Sequence, residues 1–124
     1  MNTEQKRVFR ADIFRHLDGI VTAPTADCLH EKGVLDCLVA TETTTLSTLT
    51  EVFQANEGYL NVALHTMASQ GWINYELEGA NTIQIQVNEM SETAFAHIPL
   101  YKDVVELLQL SKDYHNRKLS LIHI

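Results

Sequence analysis

The feature that most constrains this chain is a run of 69 consecutive residues, Gly33 to Tyr101, without lysine or arginine. Eight carboxylates lie in the same run: Asp36, Glu42, Glu51, Glu57, Glu76, Glu78, Glu89 and Glu92. Proteins that bind DNA neutralise its phosphates with lysine and arginine side chains. Whatever surface this run forms therefore lacks the usual means of holding DNA.

The composition of the whole chain points the same way. Its 124 residues suit one domain with a real hydrophobic core, and the net charge of −7 disfavours nucleic acid and anionic membranes as partners. The N-terminus is polar and lacks the apolar core of a signal peptide. No segment approaches the roughly 18 apolar residues of a membrane span. We therefore expect a cytoplasmic protein with no membrane and no nucleic-acid partner.

The first fifth of the chain predicts an amphipathic helix over residues 4–21, because apolar residues recur at spacings of four, four and three. This stripe consists of Phe9, Ile13, Leu17 and Ile20, widened by Val8, Phe14 and Val21. Thr22 and Pro24 predict the cap and first turn of a second helix, which runs to about Lys32 and stops at Gly33.

The middle of the chain predicts a pair of helices joined by a turn. After a short apolar turn or helix at 34–38, the β-branched stretch 41–45 is expected to be extended or a loop. The first helix of the pair then ends near Phe53 and the second spans 58–70, with Asn56 as a left-handed turn residue. The side chains predicted to be buried are Leu46, Leu49, Val52 and Phe53, then Tyr59, Leu60, Ala63, Leu64 and Met67.

Strict alternation of apolar and polar residues over 72–77 and 82–87 predicts a β-hairpin. Ser91 is expected to cap a short helix over 92–96, and Pro99 marks a break before a last helix over 100–119. The apolar face of that helix holds Leu100, Val104, Leu107, Leu108 and Leu110. The fold class is mainly α with a small β-hairpin: a winged helix-turn-helix core at 22–98, flanked by N- and C-terminal helices (4–21 and 99–124) in one domain.

The sequence offers no catalytic or metal-binding constellation. Cys28 and Cys37 are expected to be reduced and buried, with a disulfide or metal site as the alternative. The six histidines form no HxxxH or HExxH pair and are expected at or near the surface: His16, His30, His65, His97, His115 and His123. Glu76 and Glu78 share a strand face that holds either solvent or a cation. We assign no catalytic, cofactor-binding or metal-binding residue.

Three stretches carry a more specific signal: Gly33 to Leu38 (Gly-Val-Leu-Asp-Cys-Leu), the helix pair from Leu46 to Ile73, and Val87 to Glu92 after the hairpin. In this order they resemble the turn, helix pair and post-wing segment of one family. That family is the N-terminal dimerisation domain of small-molecule S-adenosylmethionine-dependent O-methyltransferases. The resemblance covers roughly residues 10–118. It departs from the family at the second helix of the pair, where Asn61 and His65 stand on a face that usually carries arginine.

The resemblance implies a non-catalytic dimerisation and substrate-lid domain of a larger methyltransferase, with the cofactor S-adenosylmethionine in a downstream domain. The five scattered glycines of this chain build no Gly-rich cofactor loop, so we expect no methyl transfer by these residues alone. A phenolic compound, a polyketide or a carrier-bound acyl chain remain open as the methyl acceptor. Two other functions remain open as well: a winged-helix transcriptional regulator, and a docking module of a multi-enzyme assembly.

The apolar residues of the first and last helices exceed what one small winged core can cover. They either pack on each other within the monomer or form an interface with a second copy or with the downstream catalytic domain. The candidate interface residues are Phe9, Ile13, Phe14, Leu17, Leu107 and Leu110. Trp72 and His65 are candidates for the substrate lid, although packing is the commoner role of a tryptophan that follows a helix-ending glycine.

Overall fold

The computed structural model describes the backbone of residues 1–122 and the side chains of residues 1–110 and 112. Six helices and three strands follow one another: α1 (Thr3–Glu31), α2 (Val34–Thr41), β1 (Thr43–Thr45), α3 (Leu46–Phe53), α4 (Glu57–Ser69), β2 (Ile73–Glu78), β3 (Thr82–Val87), α5 (Ser91–His97) and α6 (Pro99–Ile122). The helix pair α3–α4 and the β2–β3 wing confirm the predicted winged helix-turn-helix. Among the described residues, no helix combines the length and apolarity that a bilayer crossing requires.

The first helix is longer than the sequence predicts. Instead of ending at residue 21, α1 runs unbroken for 29 residues with Pro24 inside it, so Thr22 is not a helix cap. Pro24 removes the backbone donor of the bond to the carbonyl of Ile20, and both Pro24 and Ile20 are exposed residues. Buried residues on both sides of the proline, from Thr22 to Leu29, hold the helix together by tertiary packing.

The turn between α3 and α4 uses its polar residues differently from the prediction. Gln54, not Asn56, adopts the left-handed conformation, with φ of 48°. Asn56 caps α4 instead, and its Oδ1 accepts a hydrogen bond of 3.0 Å from the backbone N–H of Tyr59. Two predicted core residues point outward, since Val52 is 61% exposed and Tyr59 is 79% exposed.

The wing belongs to a three-stranded antiparallel sheet with the order β1-β3-β2. The β-branched run of threonines at 43–45 forms its edge strand, which settles the choice between an extended segment and a loop. Ile85 lies at the centre of the sheet, opposite Thr44 on one side and Tyr75 on the other. Because Ile85 is completely buried, the middle strand anchors the wing to the helices.

Ser91 does not cap α5 as predicted; it is the first residue of that helix, and Met90 stands at the cap. The buried Ser91 hydroxyl donates a hydrogen bond to the backbone carbonyl of Trp72. Its Oγ also accepts from the backbone N–H of Asn88, at 2.9 Å. These bonds fix α5 against the start of the wing.

One hydrophobic core joins the C-terminal half of α1 to α2, α3, α4, the sheet and α5. Its completely buried residues include Leu38, Leu49, Leu64, Met67, Ile85 and Ile98. The thiols contribute less than predicted, since Cys37 is only half-buried and Cys28 is exposed; both are free. The core is therefore built by residues 22–98, and it needs nothing from the first nineteen residues of α1.

Candidate interaction surface

The N-terminal part of α1, residues 3–21, contributes almost nothing to the core. Every one of these residues is exposed except Asp12, which is half-buried. Large apolar side chains are among the exposed ones, with Phe9 and Phe14 each at 56% and Leu17 at 51%. A helix of this kind leaves apolar area in water at a cost of about 25 cal/mol per Å², so its exposed stripe is a candidate for burial by a partner.

Helix α6 packs against α1 and adds to the same surface. Its apolar residues remain in water despite that packing, since Leu107 and Leu110 are each 64% exposed. We call the whole set the α1–α6 apolar surface, and it consists of Val8, Phe9, Ile13, Phe14, Leu17, Ile20, Val21, Leu100, Val104, Leu107, Leu108 and Leu110. All six interface residues predicted from the sequence belong to it. All six are exposed.

Charged residues of α1 pair with each other beside the apolar surface. The Arg7 Nη2 lies 2.6 Å from Glu4 Oε1, and the Arg15 Nη2 lies 3.1 Å from Asp12 Oδ1. The hydrogen bonds that the Arg7 guanidinium donates to the Glu4 carboxylate raise the pKa of Arg7 above its ordinary value. These exposed pairs between neighbouring turns contribute little to stability, but they keep four of the chain's charges on the helix and away from its apolar stripe.

The helix-and-wing face is acidic, as the sequence predicts. All eight carboxylates of the run from Gly33 to Tyr101 are exposed, and no cation of that run stands among them. In DNA-binding winged helices the second helix of the pair enters the major groove while cationic residues around it hold the phosphates. Here α4 and β2 surround that position with Glu57, Glu76 and Glu78.

The two residues predicted as a substrate lid have different surroundings. Exposed His65 stacks edge-to-face on Tyr75, with ring centroids 5.1 Å apart, and the Tyr75 hydroxyl donates a hydrogen bond to Asn61 Oδ1. Half-buried Trp72 lies against Tyr101 at the start of α6, with ring centroids 6.0 Å apart. Trp72 thus packs the junction between core and α6, while His65 offers an accessible imidazole beside a shallow surface depression.

The histidines and cysteines form no chemical site in the described part of the chain. Residues 1–112 contain no group of three His, Cys, Asp or Glu side chains that holds a metal ion. His16, His65 and His97 are exposed and His30 is half-buried, as expected. The side chains of His115 and His123 lie outside the described residues. The sequence did not reveal the exposure of Cys28, because helical periodicity alone does not tell which side of α1 faces α4.

Comparison with solved structures supports the fold. A possible transcriptional regulatory protein (fragment 1–100) from Mycobacterium bovis is 17% identical, with a TM-score of 0.51 over 70% of this chain and 94% of that one. A transcriptional regulator homologue from Pyrococcus horikoshii OT3 is 14% identical, with a TM-score of 0.49 over 61% of this chain and 79% of that one. A MarR family transcription regulator is 20% identical, with a TM-score of 0.47 over 97% and 91%. Only the Mycobacterium bovis structure among these three has a TM-score above 0.5, and at 17% identity its likeness concerns the fold alone.

Comparison with curated proteins found no match. Comparison with protein families found one, the AprA N-terminal domain, over residues 9–75. This stretch takes in most of α1, the helix pair and the first half of β2, and it is more than half of the 124 residues. The family is described as the N-terminal domain of a larger protein, and this chain belongs to the AprA N-terminal domain family.

Proposed function

We propose that this chain is the non-catalytic dimerisation and substrate-lid domain of a larger S-adenosylmethionine-dependent methyltransferase. The observation that carries the proposal is the α1–α6 apolar surface, an extended set of apolar side chains that the monomer leaves in water. The occupant that fits best is the same surface of a second copy. A two-fold dimer lets one self-complementary patch cover itself.

The apolar side chains of the surface supply a large part of the area that a stable dimer needs. Twelve large apolar side chains at roughly half exposure present about 400–700 Å², if burying one whole side chain of this kind removes about 60–120 Å² from water. A standard protein interface buries about 800 Å² on each partner. Polar residues beside the apolar ones on α1 and α6 would supply the rest of such an interface.

The methyltransferase assignment is supported by the stretch from Gly33 to Leu38 and by the helix pair. The first forms the turn into α2 and the second forms α3 and α4, the elements that the resembled family also has in this order. Membership of an N-terminal domain family agrees with a downstream catalytic part. That part would hold S-adenosylmethionine, while His65 and Trp72 would face the acceptor or pack the lid.

Charge argues against the regulator alternative. A duplex carries one negative charge per about 1.7 Å of its axis, and the helix-and-wing face opposes it with exposed carboxylates alone. We expect no retardation of any duplex by the protein in an electrophoretic shift at low salt. Strong retardation would revive DNA binding as the function.

Sedimentation velocity over a range of protein concentrations tests the dimer. We expect a concentration-dependent approach to twice the mass of 14.0 kDa. A monomer at high concentration would remove the reason for this part of the proposal. The winged core would then still be a candidate lid, because that role depends on the downstream domain.

The coding sequence beyond Ile124 tests the methyltransferase. We expect a Gly-rich strand-to-helix loop within about 60–80 further residues, the span of one or two strand-helix-strand units. The longer polypeptide should bind S-adenosylmethionine in a calorimeter, and residues 1–124 should not. Cofactor binding by residues 1–124 contradicts the assignment of a non-catalytic domain, and a native stop after Ile124 favours a docking module.

A further inference from the structure

A second apolar feature lies on the winged core, away from the α1–α6 apolar surface. It is a groove of about 540 Å³ between the C-terminal end of α1, the start of α2, the α3–α4 turn and α4. We call it the α1–α4 groove. Its volume falls within the range of about 300–1,000 Å³ that is usual for small-molecule sites. Cys28 lines the groove and Val21 is the nearest residue of the other surface on α1; seven residues separate them, which is about 10 Å along a helix.

The groove lies beside the three-residue turn between α3 and α4, and two of its lining residues are alanines. The left-handed Gln54 turns the chain away from α3, and Asn56 starts α4 two residues later. Ala55 and Ala63 leave the space between the two helices and α1 open. The groove is therefore fixed by backbone geometry and by a helix cap, and it does not depend on a mobile loop.

The walls of the groove are apolar and aromatic. Leu29, Val34 and Leu60 are buried residues that form its floor. Half-buried Phe53 and exposed Tyr59 flank it. Such rings offer flat apolar area with few rotatable bonds, which suits the body of an apolar ligand.

One cation stands at the rim of this apolar space. Lys32 lines the groove, and the next lysine or arginine along the chain is Lys102. In the part of the chain whose side chains are described, the ion pairs are those of Arg7 and Arg15, so Lys32 has no carboxylate within 4.0 Å. An ammonium beside an apolar groove on an otherwise anionic surface matches a ligand with an apolar body and one negative end.

We propose that the α1–α4 groove binds a small apolar carboxylate. Its apolar body lies between Phe53 and Tyr59, and its carboxylate accepts a hydrogen bond from the Lys32 ammonium. The side-chain amides of Gln54 and Asn56 are the other polar groups at the groove. None of the groove's lining residues belongs to the α1–α6 apolar surface, so the proposed ligand does not depend on the proposed dimer. Most of the lining residues lie in the helix pair that also supports the methyltransferase assignment, but the ligand is inferred from the apolar walls and from Lys32 alone.

The alkylation rates of two cysteines of this chain report whether a ligand occupies the groove. Cys28 is exposed and lines the groove, whereas Cys37 is half-buried and lies outside it. Alkylation of each thiol by iodoacetamide, followed by mass spectrometry, gives two rates in one sample. With 2-naphthoate at ten times its Kd, about one site in eleven is empty, so Cys28 alkylation should slow about tenfold. The rate at Cys37 should not change.

Charge specificity is tested with Lys32→Met, which keeps most of the apolar stem and removes the ammonium. A hydrogen bond to a charged group contributes enough that its loss should weaken 2-naphthoate binding about tenfold or more. The uncharged 2-naphthalenemethanol should bind the wild type more weakly than 2-naphthoate does, and Lys32→Met should bind both alike. Lys102→Met removes a cation elsewhere, on α6, and should bind as the wild type does.

Shape is tested with Ala63→Phe, which places a ring in the groove and should abolish the protection of Cys28. If circular dichroism shows that this variant does not fold, the comparison of ligand binding by the wild type and by Lys32→Met still tests the proposal. Decanoate in place of 2-naphthoate separates an alkyl from an aryl carboxylate, and protection by either one supports the proposal. It is overturned if neither protects Cys28 at millimolar concentration, if both thiols are protected equally, or if the alcohol binds as well as the carboxylate.

Discussion

The winged core buries its large leucines, whereas the N-terminal arm of α1 exposes its large apolar side chains. In the core, leucines such as Leu38, Leu49 and Leu64 are completely buried, and the carboxylates stand outside. In the arm, residues 3–21, the large apolar side chains stand outside as well. The core is complete as a monomer. The arm exposes an apolar stripe, and the proposed dimer would bury that stripe against a second copy.

The comparison predicts that truncating an apolar residue has different consequences in the two regions. Leu64→Ala should lower the free energy of unfolding by about 2–5 kcal/mol, the cost of a cavity at a completely buried site. Leu17→Ala, in the arm, should change the unfolding of a dilute monomer much less. Urea denaturation followed by circular dichroism measures both. Equal losses in the two variants at low concentration would mean that the arm is already part of the monomer core.

A charge on the α1–α6 apolar surface should act on association and leave the core folded. Leu107→Asp or Phe14→Asp places a carboxylate in a contact that the dimer desolvates, at a cost of several kcal/mol, and should shift sedimentation toward the monomer. Leu77→Asp is the matched control, because Leu77 on the wing is 66% exposed and Leu107 is 64% exposed. Dissociation by the Leu77 variant but not by the Leu107 variant would move the interface to the wing.

The sequence predicts the features that depend on local residue patterns, and it misses those that depend on how separate helices and strands pack together. Period-two alternation around Ile85 and the helix-ending Gly71 predict the wing, because a half-buried strand and a left-handed stop are local properties. The burial of Val52 and Tyr59 is not predicted correctly, because it depends on where α1 crosses the helix pair. The candidate interface residues are predictable as an apolar stripe, but the α1–α4 groove is not, since it arises from four elements meeting.

Pro24 lies near the boundary between the two regions. Tertiary packing of α1 outweighs the tendency of this proline to break the helix. Pro24→Ala restores the backbone donor to the carbonyl of Ile20 and removes the ring from the helix interior, so it should stabilise the protein by roughly 1–3 kcal/mol. Pro99→Ala is the control, because Pro99 is the first residue of α6, where a missing N–H costs nothing. A lower melting temperature for Pro24→Ala than for the wild type would contradict this account.

The smallest expected effect compares two asparagine caps. Asn56 caps α4 in the core, and Asn2 caps α1 at the start of the arm as part of a capping box with Gln5. Asn56 Oδ1 accepts from the backbone N–H of Tyr59 at 3.0 Å in the core, and Asn2 Oδ1 accepts from that of Gln5 at 2.7 Å in the arm. Replacing a capping asparagine with alanine costs about 1 kcal/mol when the helix end is coupled to global folding.

Asn56→Ala should therefore lower the free energy of unfolding by about 1 kcal/mol at any protein concentration. Asn2→Ala should have almost no effect on the dilute monomer, where the end of α1 frays on its own. In the dimer the arm is buried, so its fraying opposes association, and Asn2→Ala should cost stability only where dimers form. Chemical denaturation at low and high concentration measures both variants. If Asn2→Ala destabilises equally at the two concentrations, the arm folds with the core, and the division between the two regions is wrong.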